Sequence, residues 1–118
     1  MSARLFFALT VLAAASAGCA GLGQSQRDLR TAVDAENSTL SSCYGAALQR
    51  DPSAAGTVEA RLVVPKTSGK VESVNIDRSD LADPTFQSCF TDALQSIQLS
   101  QPPGVNLDVA YTFEFTPG

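Results

Sequence analysis

Apolar and polar positions change rhythm repeatedly along this chain, and each rhythm predicts an element. Leu29, Val33, Leu40, Cys43, Tyr44, Ala47 and Leu48 recur at helical steps, with Ser25 placed to cap a helix that starts at Gln26. Glu36-Asn37-Ser38 interrupts that stripe, which leaves open whether one helix or two is present. Asp51-Pro52 ends it, because a residue before proline avoids the helical region. Residues 57–64 then alternate, with Val58, Ala60, Leu62 and Val64 on one face of a half-buried strand. Pro65-Lys66-Thr67-Ser68-Gly69-Lys70 reads as a hairpin loop with Gly69 in the left-handed region. The chain returns over residues 71–77 with Val74 and Ile76 inward; Val71 is out of phase with them, which predicts a bulge near Glu72-Ser73.

Asp83 caps a second helix with Pro84 at its first position, where a missing donor costs nothing, and Phe86, Cys89, Phe90, Ala93, Leu94 and Ile97 form its apolar face. After Gln101-Pro102-Pro103-Gly104, the residues Leu107, Val109, Tyr111, Phe113 and Phe115 alternate without a fault against Asn106, Asp108, Ala110, Thr112 and Glu114. The order is helix, strand, strand, helix, strand. One polar face per strand predicts an α+β domain: a small antiparallel three-stranded sheet with two helices on one face. The hairpin and the single helical crossover put the last strand beside the first, in the spatial order second, first, third.

The N-terminus changes the context. Arg4, an apolar run over residues 5–15 broken only by Thr10, and Ser16-Ala17-Gly18 have the charge, length and small residues of a secretory signal, residues 1–18. Ser16-Ala17-Gly18-Cys19 resembles a bacterial lipoprotein box, which implies a diacylglycerol and an acyl chain on Cys19; the alternative is ordinary cleavage followed by a free cysteine. Residues 19–24 would then be the anchor and a short tether, and residues 25–118 the domain. The resemblance implies a cell-envelope protein facing the periplasm. Ala20 after the cysteine, rather than Asp, points to the outer membrane more than the inner under the enterobacterial sorting rule. With Cys19 lipidated, Cys43 and Cys89 remain as an even pair in a compartment where disulfides persist, each on a helical apolar stripe. A bridge between them is the expectation; two buried thiols that never meet are the alternative.

Composition narrows the chemistry. All twelve acidic residues and seven of the eight basic ones lie beyond residue 18, so the mature chain is more acidic than the whole-chain charge of −4. The basic residues are scattered, an arrangement unlike a nucleic-acid footprint. The chain has no His, the usual general base and the commonest metal ligand. Asp77, Asp80 and Asp83 cluster without calcium-loop spacing, and Ser41 and Ser42 have no recognisable base. No catalytic, cofactor or metal site is therefore expected.

The chain contains Cys43-Tyr44 followed by Leu48 and Pro52, Gly56-Thr57-Val58, Gly69-Lys70-Val71 with Val74 and Ile76, Ser79-Asp80-Leu81, the block around Cys89, and Pro102-Pro103-Gly104 before Tyr111-Thr112-Phe113-Glu114-Phe115. Together these stretches resemble the AgmX/PglI C-terminal domain, which is similar to the C-terminal domain of TonB. The resemblance covers roughly residues 38–117. It implies a non-catalytic module that docks an envelope protein or peptide along its last strand. The strand's outward residues Asn106, Asp108, Ala110, Thr112 and Glu114 are the candidate partner edge, and the family often has proline where Thr112 stands. A structural or self-associating lipoprotein, dimeric through the same edge, is the rival, and a motility or envelope-assembly subunit a third.

Overall fold

A computed structural model describes residues 20–117; the expected signal, residues 1–18, and Cys19 lie outside them. The elements are α1 (Ala20–Ala35), α2 (Asn37–Arg50), β1 (Gly56–Val64), β2 (Ser73–Ser79), α3 (Pro84–Gln95) and β3 (Leu107–Phe115). The three strands form one antiparallel sheet in the order β2-β1-β3, the α+β arrangement the alternation predicts. Among the described residues no helix is long and apolar enough to cross a membrane.

The core is a single cluster on one side of the sheet. Val58, Ala60, Leu62 and Val64 of β1 are completely buried, and Leu29, Leu40, Cys43, Phe86, Phe90 and Leu94 close over them from the helices. Phe115 packs tilted against Tyr44 of α2 at 5.1 Å and meets Phe86 of α3 edge-on at 5.3 Å, and Phe90 meets Phe113 edge-on at 5.0 Å. The other side of the sheet carries exposed ion pairs. Arg61 lies 3.1 Å from Asp77 and 3.3 Å from Asp108, so one guanidinium links all three strands.

The interruption of the first helical stripe is a break: the region is two helices, parted at Glu36, whose amide bonds the Val33 carbonyl at 3.0 Å. Three features depart from the sequence expectation. Residues 20–24, expected as a tether, are the start of α1. Ser25 is not its cap but a buried residue within it, in register with Leu29 and Val33 at four-residue steps, and its hydroxyl donates to the Pro103 carbonyl at 2.9 Å. The bulge lies at Asp77 and not at Glu72-Ser73: Glu59 faces Arg78 and Ala60 faces Ile76, leaving Asp77 extra on β2. Val71 is out of phase because it precedes the strand, buried with its amide bonded to the Ile97 carbonyl at 3.2 Å.

The bridge between Cys43 and Cys89 is formed, with the two Cα atoms 5.7 Å apart and the cysteines 46 positions apart in sequence. It joins α2 to α3 and encloses the β1–β2 hairpin. Gly69 takes the left-handed conformation its loop needs, with φ at 71°.

Candidate functional site: the free edge of β3

The register decides which backbone groups of β3 are available. Thr57 and Val63 of β1 give their carbonyls to Asp80 and Glu72 on the β2 side, at 2.9 and 2.8 Å. In an extended strand, donors and acceptors of successive residues point to opposite sides, so Val58, Ala60, Leu62 and Val64 face β3. Their partners are Phe113, Tyr111, Val109 and Leu107. Asp108, Ala110, Thr112 and Glu114 therefore turn their amides and carbonyls away from the sheet. No hydrogen bond among the described residues uses these outward groups of Ala110 or Thr112. The side chains of Asn106, Asp108, Ala110, Thr112 and Glu114 are all exposed, and the Asn106 side chain accepts from the Lys66 amide at 3.0 Å, closing the start of the strand.

The inward side of β3 is less covered than its alternation suggests. Leu107 is buried, but Val109, Tyr111, Phe113 and Phe115 are only partly so. The helices leave a groove of about 250 Å³ between the α1–α2 junction and the strand, lined by Arg30, Val33, Asp34 and Leu40 on one wall and by Ala110–Phe113 on the other. Burial pushes the Tyr111 hydroxyl up to about 12, with the Arg30 guanidinium opposing that shift and the Asp34 carboxylate adding to it. The phenol therefore stays a neutral hydrogen-bond donor at any physiological pH. The groove combines a cation, an anion, a phenol and an apolar floor beside a row of free backbone groups.

Of the expected edge residues, Asp108, Ala110, Thr112 and Glu114 lie on β3 with their backbone groups turned outward, whereas Asn106 precedes the strand and its side chain is taken by the Lys66 amide. The groove was not foreseen from the sequence. Its helical wall depends on the bend at Glu36, which the interrupted stripe signals without fixing the direction. Cys19 lies outside the described residues.

A second concavity, of about 500 Å³, lies at the far end between the α2 C-terminus and residues 80–84. Its polar groups are occupied internally. Asp80 accepts from the Thr57 amide at 2.9 Å, Asp51 from the Ser53 amide at 3.1 Å, and Arg50 lies 2.7 Å from Asp83. Among the described residues no group of His, Cys, Asp or Glu is placed to hold a metal ion.

Comparison with models of known families, with characterised proteins and with solved structures gives no match to the chain.

Proposed function

We propose that this protein is a non-catalytic docking module of the cell envelope, anchored through lipid on Cys19, that binds an extended segment of another protein along β3. The observation that supports this is the run of outward donors and acceptors from Asp108 to Glu114 opening beside the groove. An added strand would bond to those groups and place alternate side chains against Tyr111, Phe113 and the groove wall. The edge lacks three usual protections: β3 carries no Lys, no internal proline and no bulge. The resemblance of this strand and the Cys43-Tyr44 stretch to a TonB-like domain points the same way.

Charge favours a partner over a second copy. β3 bears Asp108 and Glu114 and no cation. Two copies paired antiparallel about Tyr111 would set Asp108 of one strand opposite Glu114 of the other, and like charges directly opposite destabilise a pair. The occupant proposed is a segment carrying Lys or Arg among β-forming residues. A photo-crosslinking side chain at Thr112, introduced in the producing cell, is expected to give a covalent adduct larger than the chain by a partner's mass, and Ala110→Pro is expected to abolish it. An adduct of twice the chain's mass would instead establish self-association. An adduct that survives Ala110→Pro would remove the edge from the mechanism.

A further inference from the structure

The groove beside β3 opens onto the strand's free edge. Ala110 and Thr112 belong to its lining although their side chains stand on the face turned away from the helices, so they line it with backbone atoms. A strand bonded to those atoms carries its inward side chains into the groove. The position opposite Tyr111 is the central one, because the lining on β3 runs from Ala110 to Phe113. At about 250 Å³ the groove is smaller than the roughly 300–1,000 Å³ of pockets that enclose a whole small-molecule ligand. It has room for one large side chain.

The lining narrows the choice of that side chain. Val33 and Leu40 are buried beneath it, and Tyr111 and Phe113 present half-buried rings. The rim is polar, with Arg30, Asp34 and Asn37 all exposed. Arg30 and Asp34 cancel in charge, so the groove as a whole prefers neither sign. They still offer a hydrogen-bond donor, an acceptor and a guanidinium that can lie on the face of a ring. An apolar ring with a polar tip, as in Tyr or Trp, answers both the floor and the rim.

Charge fixes two further positions on the other face of the sheet. Asp108 shares Arg61 with Asp77, which leaves one of the two carboxylates without a compensating charge. Glu114 faces Thr57 across the β1 ladder and has no cation opposite. Directly opposed residues of neighbouring strands put their side chains on the same face, and opposite charges there stabilise the pair. Asp108 and Glu114 lie three positions to either side of Tyr111.

We infer that the segment docked on β3 carries Tyr or Trp at a central position and Lys or Arg three positions before and three after it. The spacing is symmetric, so it is the same for either direction of the added strand. This inference rests on the docking reading proposed above and adds to it the side chains that the site selects.

The chain contains no Trp, so a Trp in the ligand is an unambiguous reporter. The test peptide is Lys-Val-Thr-Trp-Thr-Val-Lys with both ends blocked, which reads identically in both directions. It would be titrated with the full chain in phosphatidylcholine vesicles, with vesicles alone as the blank. Its emission is expected to shift to the blue, and Ala110→Pro is expected to remove the shift. In competition, a Tyr-centred peptide should displace it about tenfold better than an Ala-centred one, the difference made by burying one aromatic side chain. Glu at both ends in place of Lys should weaken displacement about fivefold. In Asn37→Phe, whose ring fills the mouth of the groove, Tyr- and Ala-centred peptides should compete equally. Equal competition on the wild type, or a preference unchanged in Asn37→Phe, overturns the aromatic subsite and leaves docking at the edge standing. Indifference to the end charges overturns the flanking cations. A shift that survives Ala110→Pro overturns the edge as the docking site. No shift at all overturns the proposed segment, while the crosslink from Thr112 decides the edge independently.

Discussion

Asp83 performs two tasks with one carboxylate. Oδ1 accepts from the amides of Thr85 at 2.9 Å and Phe86 at 3.3 Å, capping α3, while Oδ2 takes the Arg50 guanidinium at 2.7 Å and so ties the end of α2 to the start of α3. The cap is legible in Asp83-Pro84 alone, because capping is local. The Arg50 contact is not, since the partners are 33 positions apart in sequence and only the folded chain brings them together. The Arg50 hydrogen bond holds the Asp83 carboxyl below the usual carboxylate range; partial desolvation opposes that, and the two helix amides reinforce it. A group whose folded pKa is depressed contributes stability above its unfolded pKa and loses it as pH falls through the folded value. Stability measured by denaturant between neutral and strongly acidic pH should therefore decline for the wild type, and Asp83→Asn should be less stable at neutral pH with a flatter acid limb. Parallel acid limbs would mean that Asp83 carries no share of the acid sensitivity.

Legibility at the scale of elements follows how much of each element's surroundings is local. β3 was fully legible, because alternation over nine residues admits one strand and one inward face. α3 was legible from its cap, its proline and its stripe. The start of α1 was not, because a buried Ser25 hides the stripe that Leu29 and Val33 continue, and only the Pro103 carbonyl explains why a hydroxyl sits there. The bulge was misplaced because Val71 belongs to the core without belonging to the strand. The outward and inward donors of β3 make the strand testable apart from any partner. Ala110→Pro and Thr112→Pro each remove an amide that bonds nothing in the domain, so each should unfold within about 1 kcal/mol of the wild type, the span of strand propensities. Tyr111→Pro removes an amide that faces Ala60 of β1. It should cost about 1–3 kcal/mol more than Tyr111→Ala, the penalty for leaving a buried acceptor without its donor. Denaturant midpoints of the four variants decide it, and a costly Thr112→Pro would reverse the assigned register.

At the scale of the whole molecule, α2 and α3 are held on the sheet by different contacts. α3 is fixed by Phe86, Phe90 and Leu94, all completely buried, whereas α2 relies on Leu40, Cys43, Tyr44 and Ala47 and on the Tyr44 hydroxyl donating to the Ala54 carbonyl at 2.6 Å. The bridge from Cys43 to Cys89 couples the weaker attachment to the stronger one. Closing a loop of this length restricts the unfolded chain by about 4 kcal/mol on the entropy model. Small domains are stable by only about 5–15 kcal/mol, so the bridge supplies a large share. Reduction should accordingly lower the melting midpoint by roughly 15–30 °C, taking the usual response of a domain this size. The loss should also reach the docking site before global unfolding, because Leu40 of α2 forms part of the groove wall opposite Phe113. Hydrogen exchange on the reduced protein below its midpoint should show faster opening of α2 amides than of α3 amides, together with weaker crosslinking from Thr112. A reduced protein that melts within a few degrees of the oxidised one, with α2 and α3 exchanging alike, would show that packing alone seats α2 on the sheet.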